Sequence, residues 1–205
     1  MTARDFAMNN AKAQQVLDFW FGPANEPGHL QQRPQWFRKD EAFDAGIVQG
    51  FGDLIERALA GGIDGWGAAP LAALPALARV IVLDQFTRNA YRGSARAAFA
   101  GDAMALQTAR ALVASGLDRE LAGVQRQFVY LPFEHAEDRA HQRTSLQLFE
   151  QLGRDEPALA SLAEWAQRHH DIVERFGRFP HRNAALGRAS SSDEIEFLKQ
   201  PGSGF

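Results

Sequence analysis

Apolar residues recur at intervals of three and four along most of the chain, which is the spacing of a helix that buries one face. The clearest run begins after Asp40, a good N-cap residue, and reaches Leu59 before Gly61 and Gly62 end it. The same pattern predicts further helices over residues 11–21, 71–89, 102–114, 118–128, 133–152 and 157–176. No segment shows the alternation typical of a strand, so the expected fold class is all-α.

Helix ends are marked by proline, glycine and capping residues, and the connections between them are short. Gly22–Pro23 ends the first helix, and Ser191 with Glu194 has the spacing of a capping box, which predicts a short last helix. We therefore expect seven to nine helices in a single-domain helical bundle over residues 1–205. The ordered core is expected over about residues 11–198, with a flexible tail at 199–205.

The composition agrees with this pattern and excludes several classes of function. Ala and Leu together number 55, against 18 for Val, Ile and Thr, which favours helix over sheet. The absence of cysteine excludes disulfides, thiolate zinc sites and a cysteine nucleophile. A formal charge of −3 gives no overall basic surface for nucleic acid, and no apolar stretch is long enough for a membrane span or a signal peptide. We expect a cytoplasmic protein that binds neither nucleic acid nor membrane.

Charged residues continue the apolar stripe of the helix predicted over residues 71–89. Leu77 and Ile81 are followed on the same face by Asp84 and Arg88, with Arg92 one turn further. Asp84 and Arg88 are four residues apart and are expected to pair. The face thus changes from apolar to charged along one helix, as a helix at the edge of a polar pocket would.

The helix predicted over residues 133–152 shows the same change in the opposite direction. Glu134, Asp138 and His141 share one stripe with the core-facing residues near its C-terminal end, and Glu137 flanks them. One hypothesis is a polar pocket at the end of the hydrophobic core. The alternative is that this end of the helix extends beyond the core and is solvated.

Two histidines and one possible metal site bear on the chemistry. His181 lies in a polar loop with Arg178, and its ordinary pKa near neutrality suits an acid/base group. His169 falls on an apolar helix face, which is typical of a hydrogen-bonded core histidine. Glu137 and His141 are four residues apart, but one helix cannot complete a coordination sphere, so neither a metal nor another cofactor is expected.

Four segments in order resemble the bacterial "domain of unknown function 924" family. They are residues 16–22, 83–93, 128–138 and 176–183. The resemblance implies a tetratricopeptide-like fold of stacked antiparallel helical hairpins, and it implies no activity. The family's motif residues fall here on Asp84, Gln85, Arg88, Asn89, Arg92, Glu134, His135, Glu137, Asp138, His181, Arg182 and Asn183.

The first functional hypothesis is a site for a small anionic molecule, with hydrolase or lyase chemistry. Three arginines would hold a carboxylate or phosphate through charge-assisted hydrogen bonds. His181 or His135, tuned by Glu134 or Glu137, would act as the catalytic acid and base. The remaining candidates would bind or orient the ligand, and they are Asp84, Gln85, Arg88, Asn89, Arg92, Asp138, Arg182 and Asn183.

Two other hypotheses use the same residues. A stack of helical hairpins can bind a peptide along its concave face, and arginine with asparagine would then hold a peptide carboxylate. Alternatively, the charges form a buried network whose role is to fix how the helices pack. The sequence leaves the choice among these, and the oligomeric state, open.

Overall fold

The computed structural model describes residues 3–68, 70–92 and 94–204, which form helices joined by turns and loops, with no strand among them. The helices are α1 (Ala3–Phe21), α2 (Glu41–Leu59), α3 (Ala73–Val80), α4 (Thr87–Ala90), α5 (Ala95–Ala98), α6 (Asp102–Ser115), α7 (Gly123–Glu134), α8 (Arg139–Asp155), α9 (Leu162–Phe176) and α10 (Ser192–Leu198). A π-helical segment, Ile81–Phe86, joins α3 to α4 without a break. With these three counted as one helix, the described ranges contain nine α-helices and five short 3-10 segments, which confirms the predicted all-α class.

Local capping explains why several helices begin where the sequence predicts. The Asp40 side chain accepts a hydrogen bond of 3.0 Å from the backbone N–H of Phe43 and starts α2. Ser191 and Glu194 form the reciprocal bonds of a capping box at the start of α10. These bonds satisfy backbone donors that the first turn of a helix leaves without partners.

The hydrophobic core lies between the N-terminal helices and α6 and α7. Trp20 is fully buried, and its ring lies 5.7 Å from that of Phe86 and 5.4 Å from that of Phe128. Helix α3 packs against both α1 and α6, while α8 packs between α7 and α9. The aromatic cluster therefore joins α1, the π-helical segment and α7, and fixes the relative position of the last two.

The π-helical segment changes the geometry next to the N-terminus of α6. Gly101 approaches it so closely that a Cβ at this position would lie 2.0 Å from the carbonyl oxygen of Leu83. The hydroxyl of Thr87 donates a hydrogen bond of 2.8 Å to the same oxygen. Only glycine permits this approach, which brings Asp102 at the start of α6 beside the charged residues of the π-helical segment and α4.

The continuous helix predicted over residues 133–152 is wrong. Helix α7 contains Pro132 and ends at Glu134, and α8 begins only at Arg139. Asp138 is the N-cap of α8, and its carboxylate accepts a hydrogen bond of 2.9 Å from the backbone N–H of His141. The prediction treated Asp138 as part of a helix face, whereas its side chain competes for backbone donors and starts a new helix.

Candidate functional site

Asp84 lies at the centre of the polar cluster and has no exposed surface. Its Oδ1 atom is 2.7 Å from Nδ1 of His135 and 3.3 Å from Nη2 of Arg88, and its Oδ2 atom accepts a 2.6 Å hydrogen bond from the Gln85 side chain. Burial favours the neutral acid, but the neighbouring His135 and Arg88 hold the pKa of Asp84 well below its usual range. Asp84 is therefore a buried carboxylate with both oxygens occupied.

His135 is the C-cap residue of α7 and is oriented by Asp84. Because the carboxylate is ionised and only accepts, the histidine proton lies on Nδ1 and leaves Nε2 with a lone pair. Burial, and then the charge of Arg88, lower the pKa of His135, so the ring is neutral at pH 7. Nε2 has no hydrogen-bond partner among the residues that the structure describes, and the side chain is 15% exposed.

Two arginines converge on Asp102 beside this dyad. Arg88 donates a 3.0 Å hydrogen bond to Asp102, and Nη1 of Arg182 lies 3.6 Å from the same carboxylate. The Arg182 guanidinium lies over the rings of Phe99 and Phe179, at 4.6 and 4.5 Å from their centroids. Burial, and then the charge of Arg88, lower the pKa of Arg182 to about 10, which leaves it charged at pH 7.

An open cleft of about 400 Å³ lies beside these groups. Its walls come from the start of α6, the end of α7, the turn before α8 and the loop after α9. The residues that line it are Phe99, Asp102, Ala103, Leu106, Pro132, His135, Ala136, Glu137, Asp138, His141, Arg182 and Leu186. The cleft therefore combines a histidine–carboxylate dyad, an arginine and an apolar surface.

Glu134 forms a second buried carboxyl–histidine pair behind the first. Its Oε1 atom lies 3.2 Å from Nδ1 of His169, which also contacts the backbone oxygen of Trp165 at 2.9 Å. Burial, and then the charge of Asp84, raise the pKa of Glu134 to about 8, while burial lowers the pKa of His169 to about 3. Both groups are neutral at pH 7, and neither lines the cleft. The predicted core role of His169 is confirmed.

Glu137 and Asp138 line the cleft, but both carboxylates also hold the backbone in place. Glu137 accepts hydrogen bonds of 2.8 Å from Arg188 and from the backbone N–H of Phe179. Although burial acts in the opposite direction, the bond from Arg188 lowers the pKa of Glu137 and keeps it ionised. Together with Asp138, the N-cap of α8, it ties the turn before α8 to the loop after α9.

His181 and Asn183 lie in the same loop as Arg182 but do not line the cleft. The His181 ring is 5.6 Å from that of Phe179, and burial, followed by the charge of Arg182, lowers its pKa to about 4. Asn183 donates a 3.0 Å hydrogen bond to Ser190 and accepts one of the same length from Arg188. The loop therefore presents Arg182 to the cleft and uses Asn183 to stabilise its own fold.

Asn89 and Arg92 lie apart from the dyad and contact α2. Asn89 donates a 2.7 Å hydrogen bond to Asp44, and Arg92 donates one of 2.8 Å to the other oxygen of that carboxylate. The stripe drawn from Asp84 to Arg92 assumed a helix that continues to Arg92, whereas α4 ends at Ala90. The structure therefore groups Asp84, Arg88 and His135, and places Asn89 and Arg92 elsewhere.

Sequence reasoning missed two residues that complete the site and one that braces it. Asp102 and Phe99 both contact the arginines, and Arg188 holds Glu137. An acidic residue directly after Gly101 was the one available signal for Asp102, because acidic side chains favour the first turn of a helix.

Among the residues that the structure describes, no three acidic or histidine side chains are grouped as a metal site would require. Nor is any helix in the described ranges long and apolar enough to cross a membrane.

Comparisons with known proteins support the all-helical fold and indicate no specific activity. Residues 16–202 match the family described as bacterial protein of unknown function (DUF924). The chain is also similar to a solved protein of unknown function from Agrobacterium tumefaciens, with 37% identity over 93% of this chain and 98% of that chain and a TM-score of 0.77. No curated protein matches the chain.

Proposed function

The chain belongs to this family of bacterial proteins, and we propose that it binds a small anionic ligand in the cleft, where His135 acts as a general acid and base. The observation that carries the proposal is the 2.7 Å contact between Asp84 and Nδ1 of His135 beside an open cleft. A carboxylate in this position fixes the tautomer of the ring and stabilises the imidazolium that forms when Nε2 takes a proton. Hydrolase or lyase chemistry would use such a base.

Arg182 supplies the anion-binding group in this proposal, with Arg88 behind it. Two aromatic rings fix the plane of the Arg182 guanidinium, so little side-chain freedom is lost when a ligand binds. A guanidinium whose plane is fixed matches the two oxygens of a carboxylate or phosphate. Among the histidines predicted as catalytic, His135 is favoured over His181 because it lines the cleft.

The experiment is a calorimetric and thermal-shift screen of small carboxylates and phosphates against the wild type, Arg182→Gln and His135→Asn. At a hundredfold excess over Kd a ligand stabilises the folded state by about 2.7 kcal/mol, which such a screen detects. We expect binding to be lost in Arg182→Gln. The amide nitrogen in His135→Asn takes the place of Nδ1 and keeps the contact with Asp84, so this variant should fold but lose turnover of any substrate found.

The matched control is Arg175→Gln, because Arg175 also stacks on phenylalanine rings but lies outside the cleft. It should bind ligands as the wild type does. If no anion stabilises the wild type while Arg182→Gln unfolds far more easily, the charged cluster is a structural network and the proposal is wrong. If ligands stabilise all variants equally, they bind elsewhere, which also contradicts it.

A further inference from the structure

The cleft is polar at one end and apolar at the other, as the order of residues along α6 and α7 dictates. Asp102 begins α6, and Leu106 lies one turn further on the same face. His135 caps the end of α7, and Pro132 lies about one turn before it. A short connection makes α6 and α7 antiparallel neighbours, so Leu106 and Pro132 lie on the same side of the charged end. A ligand that fills the cleft therefore needs a polar head and an apolar body.

The charges at the polar end disfavour a ligand with more than one negative charge. Arg88 and Arg182 are balanced by Asp84 and Asp102, and Arg188 by Glu137, while Asp138 adds one more carboxylate to the lining and His135 is neutral. A dianion such as a phosphate monoester would leave an excess of negative charge in a half-buried site, which is unfavourable. A monocarboxylate brings half that charge and matches the planar guanidinium of Arg182.

His135 adds a requirement for a hydrogen-bond donor. Its proton lies on Nδ1, so Nε2 carries a lone pair, which would repel a carboxylate oxygen placed directly against it. A hydroxyl group on the carbon next to the ligand's carboxylate removes this conflict, because it donates to Nε2 while the carboxylate faces Arg182.

We propose that the cleft takes an α-hydroxy monocarboxylate with an apolar chain, its carboxylate on Arg182, its hydroxyl on His135 and its chain against Leu106, Pro132 and Leu186. This inference rests on the ligand site proposed above and names its substrate class. It differs from that proposal in requiring an apolar chain, a single charge and the hydroxyl. Each of the three requirements is testable on its own.

The test is isothermal titration of the wild type with glycolate, α-hydroxybutyrate, α-hydroxyhexanoate, hexanoate and hexyl phosphate. Affinity should increase about fourfold for each added methylene, the factor that corresponds to about 0.8 kcal/mol per buried CH2. We expect α-hydroxyhexanoate to bind more tightly than hexanoate in the wild type and equally in His135→Asn. Hexyl phosphate should bind less tightly than the hydroxy acid.

Two substitutions in the apolar wall locate the chain. Leu106→Trp reduces the space in the cleft. It should weaken the binding of α-hydroxyhexanoate and leave the binding of glycolate unchanged. Leu186→Ser, in a loop where folding is less at risk, should reduce the gain per methylene. The matched control is Leu148→Trp, because Leu148 is also half-buried but does not line the cleft.

The outcomes separate this inference from the proposed function. If glycolate or hexyl phosphate binds as tightly as α-hydroxyhexanoate, and Arg182→Gln abolishes binding, the proposed anion site is supported. The assignment of an apolar α-hydroxy acid as its ligand is then wrong. If Leu106→Trp and Leu148→Trp change the affinities for the acids of increasing chain length to the same extent, the ligand's alkyl chain does not lie along the cleft. If none of the acids or the phosphate binds, the hydroxy-acid inference is wrong, and the proposed function is wrong too if the broader screen finds no anion whose binding Arg182→Gln removes.

Discussion

The two buried carboxyl–histidine pairs of this protein contain the same chemical groups and differ in protonation. Asp84 contacts His135 at 2.7 Å, and Glu134 contacts His169 at 3.2 Å. Contacts with His135, and then with Arg88 and Gln85, hold the pKa of Asp84 below its usual range despite burial. Glu134 has no arginine among the groups that shift its pKa, and burial raises that pKa to about 8.

The difference shows that neighbouring hydrogen-bond donors, rather than burial, decide which carboxyl group is ionised and can therefore support proton transfer at its histidine. Both carboxyl groups are removed from water, which by itself favours the neutral acid. An ionised Asp84 can stabilise an imidazolium at His135, whereas a neutral Glu134 offers His169 no such charge. The first pair borders the cleft and the second does not. The account therefore predicts unequal effects of equivalent substitutions.

The largest effect is expected from Asp84→Asn, which removes the charge and leaves the size unchanged. Arg88 and His135 then face a neutral amide inside the protein, and breaking a buried pair in this way costs about 3–5 kcal/mol of unfolding free energy. Urea denaturation at pH 7 measures the loss. Asp171→Asn, at an exposed carboxylate, is the control and should change little. If Asp84→Asn were as stable as the wild type, Asp84 would not be an ionised, paired carboxylate.

Glu134→Gln should have a smaller effect of opposite sign, visible in the pH dependence of stability. Folded Glu134 keeps its proton up to about pH 8, whereas the unfolded carboxyl loses it near its ordinary value of 4.5. Between these values the unfolded state binds fewer protons, so the stability of the wild type falls as the pH rises through this window. Glu134→Gln should remove that part of the decline and be at least as stable as the wild type at pH 7. Parallel profiles of urea midpoint against pH for the two proteins would contradict the assignment.

Gly101→Ala should disturb the first pair while leaving the second alone. The added Cβ would lie 2.0 Å from the oxygen of Leu83, and backbone displacement of this kind costs about 1–3 kcal/mol. Moving the start of α6 also separates Asp102 from Arg88. We expect a lower unfolding free energy together with shifted NMR signals of His135 and unshifted signals of His169. Gly50→Ala, on an open face of α2, is the matched control, and equal losses in the two variants would rule out the close contact as the cause.

The smallest effect is expected from Arg92→Ala, which tests whether the group around Asp44 is separate from the site. The Arg92 side chain is 39% exposed, so losing its ion pair should cost about 0.2–1 kcal/mol. Binding of any anion in the cleft should remain unchanged, as measured by titration calorimetry. A loss of binding comparable to that of Arg182→Gln would place Arg92 in the site after all.

Much of the fold could be predicted because its signals are local. Asp40 and the Ser191–Glu194 capping box act within one helical turn, and the sequence displays both partners. The π-helical segment had no such signal, since it depends on how Gly101 packs against Leu83 from another part of the chain. The break after Glu134 was missed because the periodic pattern outweighed the capping tendency of Asp138.

The candidate site could be predicted only as a set of residue types. The charged stripes singled out Asp84, Arg88 and the residues around Glu134, because a polar group on a core-facing position is itself unusual. Which of these residues contact one another depends on helix packing, which places Asn89 and Arg92 against Asp44 rather than near Asp84. The pairing of Glu134 with His169 joins the end of α7 to the middle of α9, and the spacing within either helix gives no signal for it.

The central claim is that Asp84 holds His135 as a neutral imidazole with its proton on Nδ1, ready to accept a proton at Nε2. Nitrogen NMR of the histidine side chains at pH 7, with His135 assigned by comparison with His135→Asn, tests this directly. The account predicts a protonated Nδ1, an unprotonated Nε2 and a titration midpoint below the ordinary 6.5. A doubly protonated ring at pH 7, or a proton on Nε2 alone, would contradict it.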